Sequence, residues 1–512
     1  MADTKREIER KFEFTSAKAG RRFLTGPPDL TGTAGVAAVL DQGTADLDAV
    51  YYDTHDLRLA ADSLTLRRRT GGSDAGWHLK LPVAPGVRDE VQAPLTDTLP
   101  RSLAALVRSR VRDTELVPLV RLRSSRKVLH LMDAEGALLA ELSTDTVRAE
   151  RLAEPVAAAS WTEVEVELAD GVDPALLDAV GKKLEKAGLK VSDAPSKLAR
   201  ALAETGTQAP PPPEPPAAGT AGADVLAYLR DQVRALVAHD PAVRRDLPDA
   251  VHQMRVATRR LRSALRSHRR VLDRTVTDPL ADELRWVAAE LGADRDQEVL
   301  MERFQNALAD LPRPLLLGPV RSRLRTWNAT RRSATRRRAL AVLDSKRYLA
   351  LLDSLDALLA DPPLRPAAAK PADRVFRKAV LRDCERLARR IDHALALPEG
   401  QERDLALHDA RKAAKRARYA AEAAAAPLGK PAERLAKAMK SVQTLLGDHQ
   451  DSVVAREALL ALAAQAQGAG ESGFTWGLLH GREEALAERR ERELPEVWER
   501  ASDPALRAAL ST

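Results

Sequence analysis

The sequence predicts two domains of different fold class, an α+β domain at residues 1–204 and an all-α domain at residues 224–505. In the first domain, short segments alternate apolar and charged residues with period two, which is typical of strands with one polar face. In the second, long segments rich in Ala, Leu and Arg have helical periodicity. Between them, a Pro/Ala/Gly-rich tract cannot bury a core and predicts an extended linker at residues 205–223.

Individual elements of the first domain can be placed from this alternation. The predicted strands are Arg6–Phe14, Leu64–Arg69, Gly76–Leu81, Lys127–Met132 and Thr162–Leu168. A helix is predicted from Pro174 to Ala187, because Asp173 can cap it and proline suits the first helical position. The pair Gly71-Gly72 predicts a turn.

Composition restricts the classes of function. The net charge is +7, but the charge is clustered, with eight arginines and no acid between Arg321 and Arg338. Aromatic residues make up 3% of the chain, which disfavours stacking on nucleic-acid bases. The single cysteine, Cys384, excludes an internal disulfide and is expected to be a packed small residue. No apolar run of about 18 residues and no secretory signal occur, so we expect no membrane partner and a cytoplasmic location.

Charged residues recur at every second position on several predicted strands, which places each set on one face. The sets are Glu7, Glu9 and Lys11; Arg67 and Arg69; Lys80; and Glu163, Glu165 and Glu167. A solvated sheet face would explain one such strand, whereas recurrence favours a sheet closed around a polar interior. Arginine and lysine bind phosphate oxygens there, and paired carboxylates hold Mg²⁺ or Mn²⁺.

The order of these motifs resembles that of a CYTH domain, of the triphosphate tunnel metalloenzyme superfamily, over residues 1 to about 204. The matching elements are Glu7-Ile-Glu9-Arg-Lys11, Tyr52-Asp-Thr, Leu64 to Arg69, Trp77 to Lys80, Arg121, Arg123, Arg126, Glu141 to Asp145, Glu163-Val-Glu165 and Ser196-Lys197. The resemblance implies an eight-stranded antiparallel β tunnel with flanking helices. It also implies cleavage or rearrangement of triphosphates, which in this family include inorganic triphosphate, thiamine triphosphate and ATP.

The resemblance assigns roles to individual residues. Ligands of Mg²⁺ or Mn²⁺ would be Glu7, Glu9, Asp145, Glu163 and Glu165. The phosphates would be bound by Lys11, Arg67, Arg69, Lys80, Arg126 and Lys197. The catalytic set would be Glu7, Glu9, Lys11, Glu163 and Glu165, acting through in-line attack of water on the terminal phosphorus. Three isolated histidines, His55, His78 and His130, have no ligand spacing and are not assigned to the site.

The second domain contains an internal repeat. The segment VHQMRVATRRLRSAL from Val251 matches LHDARKAAKRARYAA from Leu407, and LGADRD from Leu291 matches LGDHQD from Leu446. We therefore expect two related helical bundles, at about residues 224–365 and 372–505, packed around a pseudo-two-fold axis.

Each copy of the repeat places basic residues on one helix face. The first stripe is His252, Arg255, Arg259, Arg262 and Arg266, and the second stripe is His408, Arg411, Lys415 and Arg418. A solvated face is the ordinary explanation, but the first stripe has no acids four residues onward to pair its arginines. The pattern favours a long polyanion, and polyphosphate fits better than DNA because no base-reading motif is present. With one histidine per copy, a metal site is disfavoured.

Residues from about 224 to 505 resemble a CHAD domain, the conserved histidine α-helical module often fused to CYTH. The resemblance is carried by Val251 to Arg262, Leu291 to Asp296, His408 to Tyr419 and Leu446 to Asp451. It implies binding of polyphosphate and association with polyphosphate granules. The second copy has Lys415 where the first has Arg259, and Gln450 where the first has Arg295.

Together with these patterns, the two resemblances imply a metal-dependent hydrolase of inorganic triphosphate or short-chain polyphosphate that also binds polyphosphate. Two alternatives stay open. One is a non-catalytic polyphosphate-binding scaffold, against which the intact paired glutamates argue. The other is an enzyme acting on nucleotides or thiamine triphosphate, for which the sequence shows no base-recognition element. Nucleic acid is not an expected partner, and the oligomeric state is not predicted.

Overall fold

The computed structural model describes residues 3–154, 156–207 and 216–511, apart from the side chains of residues 3, 293–296 and 511. Most of the LGADRD motif, including Arg295, therefore has a described backbone but lies outside the described side chains. The chain divides into two compact units, residues 1–211 and 212–512, and each is described by itself.

The N-terminal unit is built on one antiparallel sheet of nine strands. They are β1 (Asp3–Phe14), β2 (Ala38–Asp53), β3 (Thr65–Thr70), β4 (Gly76–Ala84), β5 (Val87–Ala93), β6 (Val117–Met132), β7 (Leu138–Arg151), β8 (Ala158–Leu168) and β9 (Leu189–Val191). Eight strands follow the order β5-β4-β3-β2-β6-β7-β8-β1, and β1 also pairs with β5, which closes the sheet. The predicted eight-stranded tunnel is thus confirmed.

Strand β1 closes the tunnel because its two halves pair with different strands. Asp3–Ile8 lies antiparallel to β5, and Glu9–Glu13 lies antiparallel to β8. Side chains alternate along it, so Phe12 joins an apolar cluster outside the tunnel while Glu7, Glu9 and Lys11 face the lumen. The period-two pattern of this segment therefore reflects a wall with a charged inner face and an outer face on which Ile8, Phe12 and Phe14 pack with apolar residues.

In the described part of this unit, five helices flank the tunnel: α1 (Ala17–Thr25), α2 (Arg58–Ala61), α3 (Arg101–Val111), α4 (Ala175–Lys186) and α5 (Lys197–Glu204). Helix α4 is the predicted helix, and the Asp173 carboxylate accepts a hydrogen bond from the Ala175 amide at 2.9 Å. Helix α5 is capped by the Ser196 hydroxyl, which accepts from the Ala199 amide at 3.0 Å. This cap places Lys197 in the first turn of α5, from which its side chain reaches the lumen.

The turn between β3 and β4 requires glycine. Gly71 has φ of +82°, and a Cβ there would lie 2.2 Å from the Asp46 carbonyl oxygen. We expect Gly71→Ala to destabilise the tunnel by about 2 to 4 kcal/mol, through backbone strain and this clash. Gly136→Ala is the matched control, because Gly136 has a similar φ of +81° with nothing near its Cβ position, and it should cost about 1 kcal/mol. Urea unfolding of both variants measures the difference, and equal losses would contradict the clash.

The C-terminal unit is all-α, as predicted. Its helices are α6 (Ala221–Arg244), α7 (Ala250–Ser267), α8 (Arg274–Glu290), α9 (Gly292–Ala309), α10 (Val320–Leu343), α11 (Lys346–Ala360), α12 (Ala372–Ala396), α13 (Gln401–Ala423), α14 (Ala425–Leu428), α15 (Lys430–Gly468), α16 (Phe474–Ala501) and α17 (Pro504–Ala508). Helices α7 and α13 carry the two stripes. The other pair of matching motifs lies in different secondary structure in the two copies. LGADRD spans the junction of α8 and α9, whereas LGDHQD lies inside α15, a continuous helix of 39 residues.

One apolar core runs through most of the helical unit, and a second connects α9 and α10 with α15 and α16. Cys384 is buried in the first of these cores, as expected for a packed small residue. Among the described helices, none combines the length and the apolar character needed to span a bilayer.

Candidate active site and polyanion surface

The tunnel encloses a cavity of about 680 Å³ with charged walls. It is lined by nine of the residues predicted from the sequence: Glu7, Glu9, Lys11, Arg67, Arg69, Lys80, Arg126, Glu165 and Lys197. The other two, Asp145 and Glu163, do not line this cavity but contact Lys197 behind its wall. The fold therefore brings nine of the eleven predicted residues to one lumen and places the other two behind Lys197.

Three carboxylates on β7 and β8 converge around the ammonium group of Lys197. Its Nζ lies 3.0 Å from Asp145 Oδ2, 2.8 Å from Glu163 Oε1 and 2.6 Å from Glu165 Oε2. One oxygen from each of these carboxylates lies within 4.8 Å of the others. Arg126 donates to both oxygens of Asp145 at 2.8 Å. Both oxygens of each glutamate also have partners, which are Trp161 and Lys197 for Glu163, and Lys11, Arg126 and Lys197 for Glu165.

Burial alone would raise the pKa of Glu165, but the cations of Lys11, Lys197 and Arg126 hold it well below its usual value. The carboxylate is therefore ionised at neutral pH, which is the form that a metal requires. A set of carboxylate oxygens is the donor chemistry that hard divalent cations prefer, so these residues fit such an ion.

The first strand contributes a second group of paired charges. Lys80 Nζ lies 2.5 Å from Glu7 Oε2, and Lys11 lies 3.1 Å from Glu9 Oε1 while also contacting Glu165. Burial raises the pKa of Glu7 to about 7, with the carboxylates of Glu90 and Glu167 offsetting the opposite effect of Lys80. Glu9 differs, because Lys11 and Lys80 overcome its burial and hold its pKa below the usual value.

The arginines of β3 give their side of the tunnel a positive charge, in contrast to the carboxylates of β1, β7 and β8. Arg67 lies 3.4 Å from Glu90 Oε1 and 3.4 Å from the Tyr51 hydroxyl, and Arg69 contacts Asp74. Burial, together with the nearby cations of Arg67 and Arg126, lowers the pKa of Arg69 to about 9. Repulsion between these guanidinium groups would be relieved by an anion in the lumen.

Two groups of this site were missed by sequence reasoning. Glu90 is 3% exposed and accepts from Gln92 Nε2 at 2.7 Å, while its contact with His78 Nδ1 is 3.1 Å. The signal was present, because Arg88, Glu90 and Gln92 alternate along β5 and all line the cavity. His78, 1% exposed, also contacts the Asp74 carbonyl, so it connects two groups that hold the arginines of β3.

In the helical unit, the two stripes meet in one cavity of about 520 Å³, which we call the basin. It is lined by His252, Arg255 and Arg259 of α7, by His408, Arg411, Lys415 and Arg418 of α13, and by Arg303, Gln443, Gln450 and Asp451. Arg262 and Arg266 instead line an adjoining cavity of about 490 Å³, which shares Arg259 and Lys415 with the basin. Arg386 and Arg390 of α12 complete this second cavity, and the repeat gave no indication of them.

The second stripe is partly neutralised. Arg411 lies 3.4 Å from Asp451, and Arg418 lies 3.1 Å from Glu422. Burial and the neighbouring Arg411 and Arg259 lower the pKa of Lys415 to about 7, so this ammonium is only partly charged at neutral pH. Positive charge therefore exceeds negative charge in the basin, at a cost that a bound polyanion would offset.

The arginine run between Arg321 and Arg338 lies on α10 and lines neither cavity. Several of its members make ion pairs within the helical unit, including Arg323 with Glu471 at 2.5 Å and Arg338 with Glu290 at 2.5 Å. The densest basic segment of the sequence is thus separate from the cavities formed by the repeat.

Comparison with known families and proteins covers both units. The model of the CYTH domain matches residues 5–202, and the model of the CHAD domain matches residues 227–460. Uncharacterized protein Rv2226 of Mycobacterium tuberculosis strain H37Rv is 40% identical over 519 residues, which cover 98% of this chain and 97% of that protein. The similarity therefore extends through both domains.

Solved structures each cover part of this chain. PptA from Streptomyces chartreusis is 24% identical with a TM-score of 0.47, covering 55% of this chain and 99% of its own. The CHAD domain from the plant Ricinus communis is 25% identical with a TM-score of 0.39, covering 59% of this chain and 96% of its own. HpAC1 from Hippeastrum, described as a putative adenylyl cyclase with a dominant triphosphatase activity, is 20% identical with a TM-score of 0.24, covering 40% and 98%.

Proposed function

Because this chain belongs to the family whose members join a CYTH domain to a CHAD domain, we propose that its tunnel hydrolyses inorganic triphosphate or short-chain polyphosphate with a divalent metal, Mg²⁺ or Mn²⁺. We propose further that its helical unit binds polyphosphate, in the cytoplasm and in association with polyphosphate granules. The first proposal rests on one observation: buried glutamates and six basic side chains line the same lumen. The basic side chains are those of Lys11, Arg67, Arg69, Lys80, Arg126 and Lys197.

The basic residues and the carboxylates of the tunnel would have different roles in this reaction. The arginines and lysines bind phosphate oxygens and neutralise charge that develops as the terminal phosphoanhydride bond breaks. Glu7, Glu9, Glu163 and Glu165 would hold the metal, with Asp145 as a further candidate that chiefly positions Arg126 and Lys197. When bound, the cation would supply Lewis-acid neutralisation of the phosphate charge. The paired glutamates argue against the scaffold alternative, because a tunnel that only binds polyphosphate has no need of paired carboxylates beside its basic side chains.

The lining also favours an inorganic substrate. Among the described residues around the cavity, Tyr51 is the one phenyl-type ring, and its hydroxyl contacts Arg67. A nucleobase or thiamine ring would need an apolar or stacking surface, which charged walls do not provide. This supports triphosphate or short polyphosphate over nucleotide or thiamine triphosphate.

The test is phosphate release by the full chain from triphosphate, ATP, thiamine triphosphate and long polyphosphate, each with Mg²⁺, Mn²⁺ or chelator. We expect the highest kcat/KM with triphosphate and loss of turnover with chelator. Faster turnover of ATP or thiamine triphosphate would support the organic-substrate alternative. Salt-sensitive binding of polyphosphate without turnover of any substrate would support the scaffold alternative.

Binding of polyphosphate should weaken as pH rises from 6 to 8.5. Lys415 has a pKa of about 7 in the free protein, so its ammonium group is charged below pH 7. Above pH 7 the amine must take up a proton before it can pair with an anion, which weakens binding. We expect an affinity loss of about 3- to 10-fold from this group. Lys415→Arg, which reproduces Arg259 of the first copy, should remove this part of the pH dependence. Isothermal titration calorimetry at both pH values checks it, and an unchanged profile in Lys415→Arg would contradict the assignment.

A further inference from the structure

Three helices of the second repeat copy bring one histidine and two carboxylates together outside the lining of the basin. His449 of α15 is 2% exposed, and its Nε2 lies 3.3 Å from Asp404 Oδ1 of α13 and 3.0 Å from Glu491 Oε1 of α16. One ligand atom from each residue lies within 4.8 Å of the others. The cluster therefore offers one imidazole nitrogen and two carboxylate oxygens to a common point.

Arginines fix the remaining oxygen of each carboxylate. Arg403 lies 2.9 Å from Glu491 Oε2, and Arg456 donates to Asp404 Oδ2 at 3.3 Å. Each carboxylate thus presents its other oxygen toward His449. Polar contacts to the outer oxygens, here an ion pair on Glu491 and a hydrogen bond on Asp404, are the arrangement by which proteins commonly orient metal-binding carboxylates.

The spacing matches that of ligands around a small divalent metal ion. Ligands about 2.0 Å from a tetrahedral Zn²⁺ are separated from one another by about 3.3 Å. The two nitrogen-to-oxygen distances, 3.3 and 3.0 Å, are close to this value. Without a metal, Asp404 Oδ1 and Glu491 Oε1 both face the one Nε2–H of His449. This N–H cannot point at both oxygens at once.

We propose that Asp404, His449 and Glu491 form a second metal site, which binds a transition-metal dication such as Zn²⁺. The imidazole distinguishes it from the all-oxygen set of the tunnel, since imidazole suits Zn²⁺, Co²⁺ or Ni²⁺ better than Mg²⁺. The matched first copy has Asp294 where the second has His449, so the site is particular to the second copy. Three protein ligands leave a fourth position for water or an anion.

The location gives the site a structural consequence. The same stretch of α15 carries Gln450 and Asp451, and α13 carries His408, all of which line the basin. A metal that joins α13, α15 and α16 would hold this side of the basin rigid. It would also raise the melting temperature, because an ion that binds only the folded state stabilises it.

The test uses the full chain with Glu9→Gln, Glu163→Gln and Glu165→Gln, which removes three of the five carboxylates proposed to bind metal in the tunnel and which we call the tunnel-disabled protein. After treatment with chelator, this protein is titrated with Co²⁺, followed by visible absorption, and with Zn²⁺, followed by competition with a chromophoric chelator. We expect one equivalent to bind, with a d–d absorption band and a Zn²⁺-dependent rise in melting temperature. Adding His449→Gln should weaken binding by at least about 100-fold and remove both signals.

His393→Gln is the matched control, because His393 is an exposed histidine near the end of α12, and it should leave binding unchanged. Circular dichroism in chelator shows whether His449→Gln folds, and if it does not, Glu491→Gln provides the same comparison with a carboxylate ligand. Absence of Co²⁺ binding in the tunnel-disabled protein would overturn the proposal and identify the cluster as a metal-free ion-pair network. Equal binding by the His449 and His393 variants would overturn it too.

Discussion

Replacing Glu165 by glutamine should lower kcat for metal-dependent hydrolysis of triphosphate by about 1,000-fold or more. The Glu165 carboxylate lies 2.6 Å from Lys197, 3.2 Å from Arg126 and in contact with Lys11, so its charge positions three of the proposed phosphate-binding groups. It is also a proposed metal ligand, and glutamine keeps its shape while removing the charge that a hard cation requires. Steady-state phosphate release at saturating Mg²⁺ or Mn²⁺ measures the effect.

Glu150→Gln is the matched control for this substitution. Glu150 lies on β7 and pairs with Arg123 and Arg148, and it does not line the tunnel cavity. Since exposed ion pairs contribute about 1 kcal/mol or less, activity should stay within about twofold. Undiminished turnover in a folded Glu165→Gln protein would remove Glu165 from the proposed site, and equal losses in both variants would indicate a general effect on the fold.

The second large effect is expected in the helical unit, from the double variant Arg262→Glu/Arg266→Glu. Both arginines line the cavity that adjoins the basin, and burial and Arg266 lower the pKa of Arg262, which shows the mutual repulsion that an anion would relieve. Polyphosphate binding should weaken by about 100-fold near 0.15 M salt. The slope of log affinity against log salt should become shallower by about 1 to 2.

The control for this variant is Arg434→Glu/Lys437→Glu, which makes the same change in net charge on an exposed part of α15. These residues line neither cavity, so they should change affinity by a small factor through long-range charge alone. Equal effects of the two double variants would show that net charge, and not the cavity, governs binding. Triphosphate hydrolysis should be unaffected by either.

The strands that line the tunnel could be predicted because one face of each strand lines the charged lumen and the other face packs against apolar residues. In β1 and β8 the period-two pattern separated lumen-facing glutamates from apolar residues such as Phe12 and Val164, both of which are fully buried. Lys197 could be named from its motif but not placed, since the helix that carries it follows β8 by about thirty residues and its contacts depend on tertiary packing. Glu90 was missed although its strand alternates, because the neighbouring Asp89 obscures the pattern.

In the helical unit, the repeat predicted both stripes but not the complete surface around them. Arg386 and Arg390 come from α12, which has no sequence relation to the stripes, so packing alone brings them to the cavity. The motifs LGADRD and LGDHQD are alike in sequence, yet LGADRD spans the junction of α8 and α9 and LGDHQD lies within α15. Local sequence does not separate these outcomes, because tertiary contacts override propensity at such junctions.

The pairing of β1 has a consequence for synthesis of the protein. This strand leaves the ribosome before both of its partners, β5 and β8, and β8 ends at Leu168. Closure of the tunnel must therefore wait until β8 has been made, and contacts of such long sequence separation form slowly. Until then, the alternating charges of β1 keep an unpaired strand soluble. The residues proposed to handle phosphate in the finished tunnel would thus protect the nascent chain from aggregation.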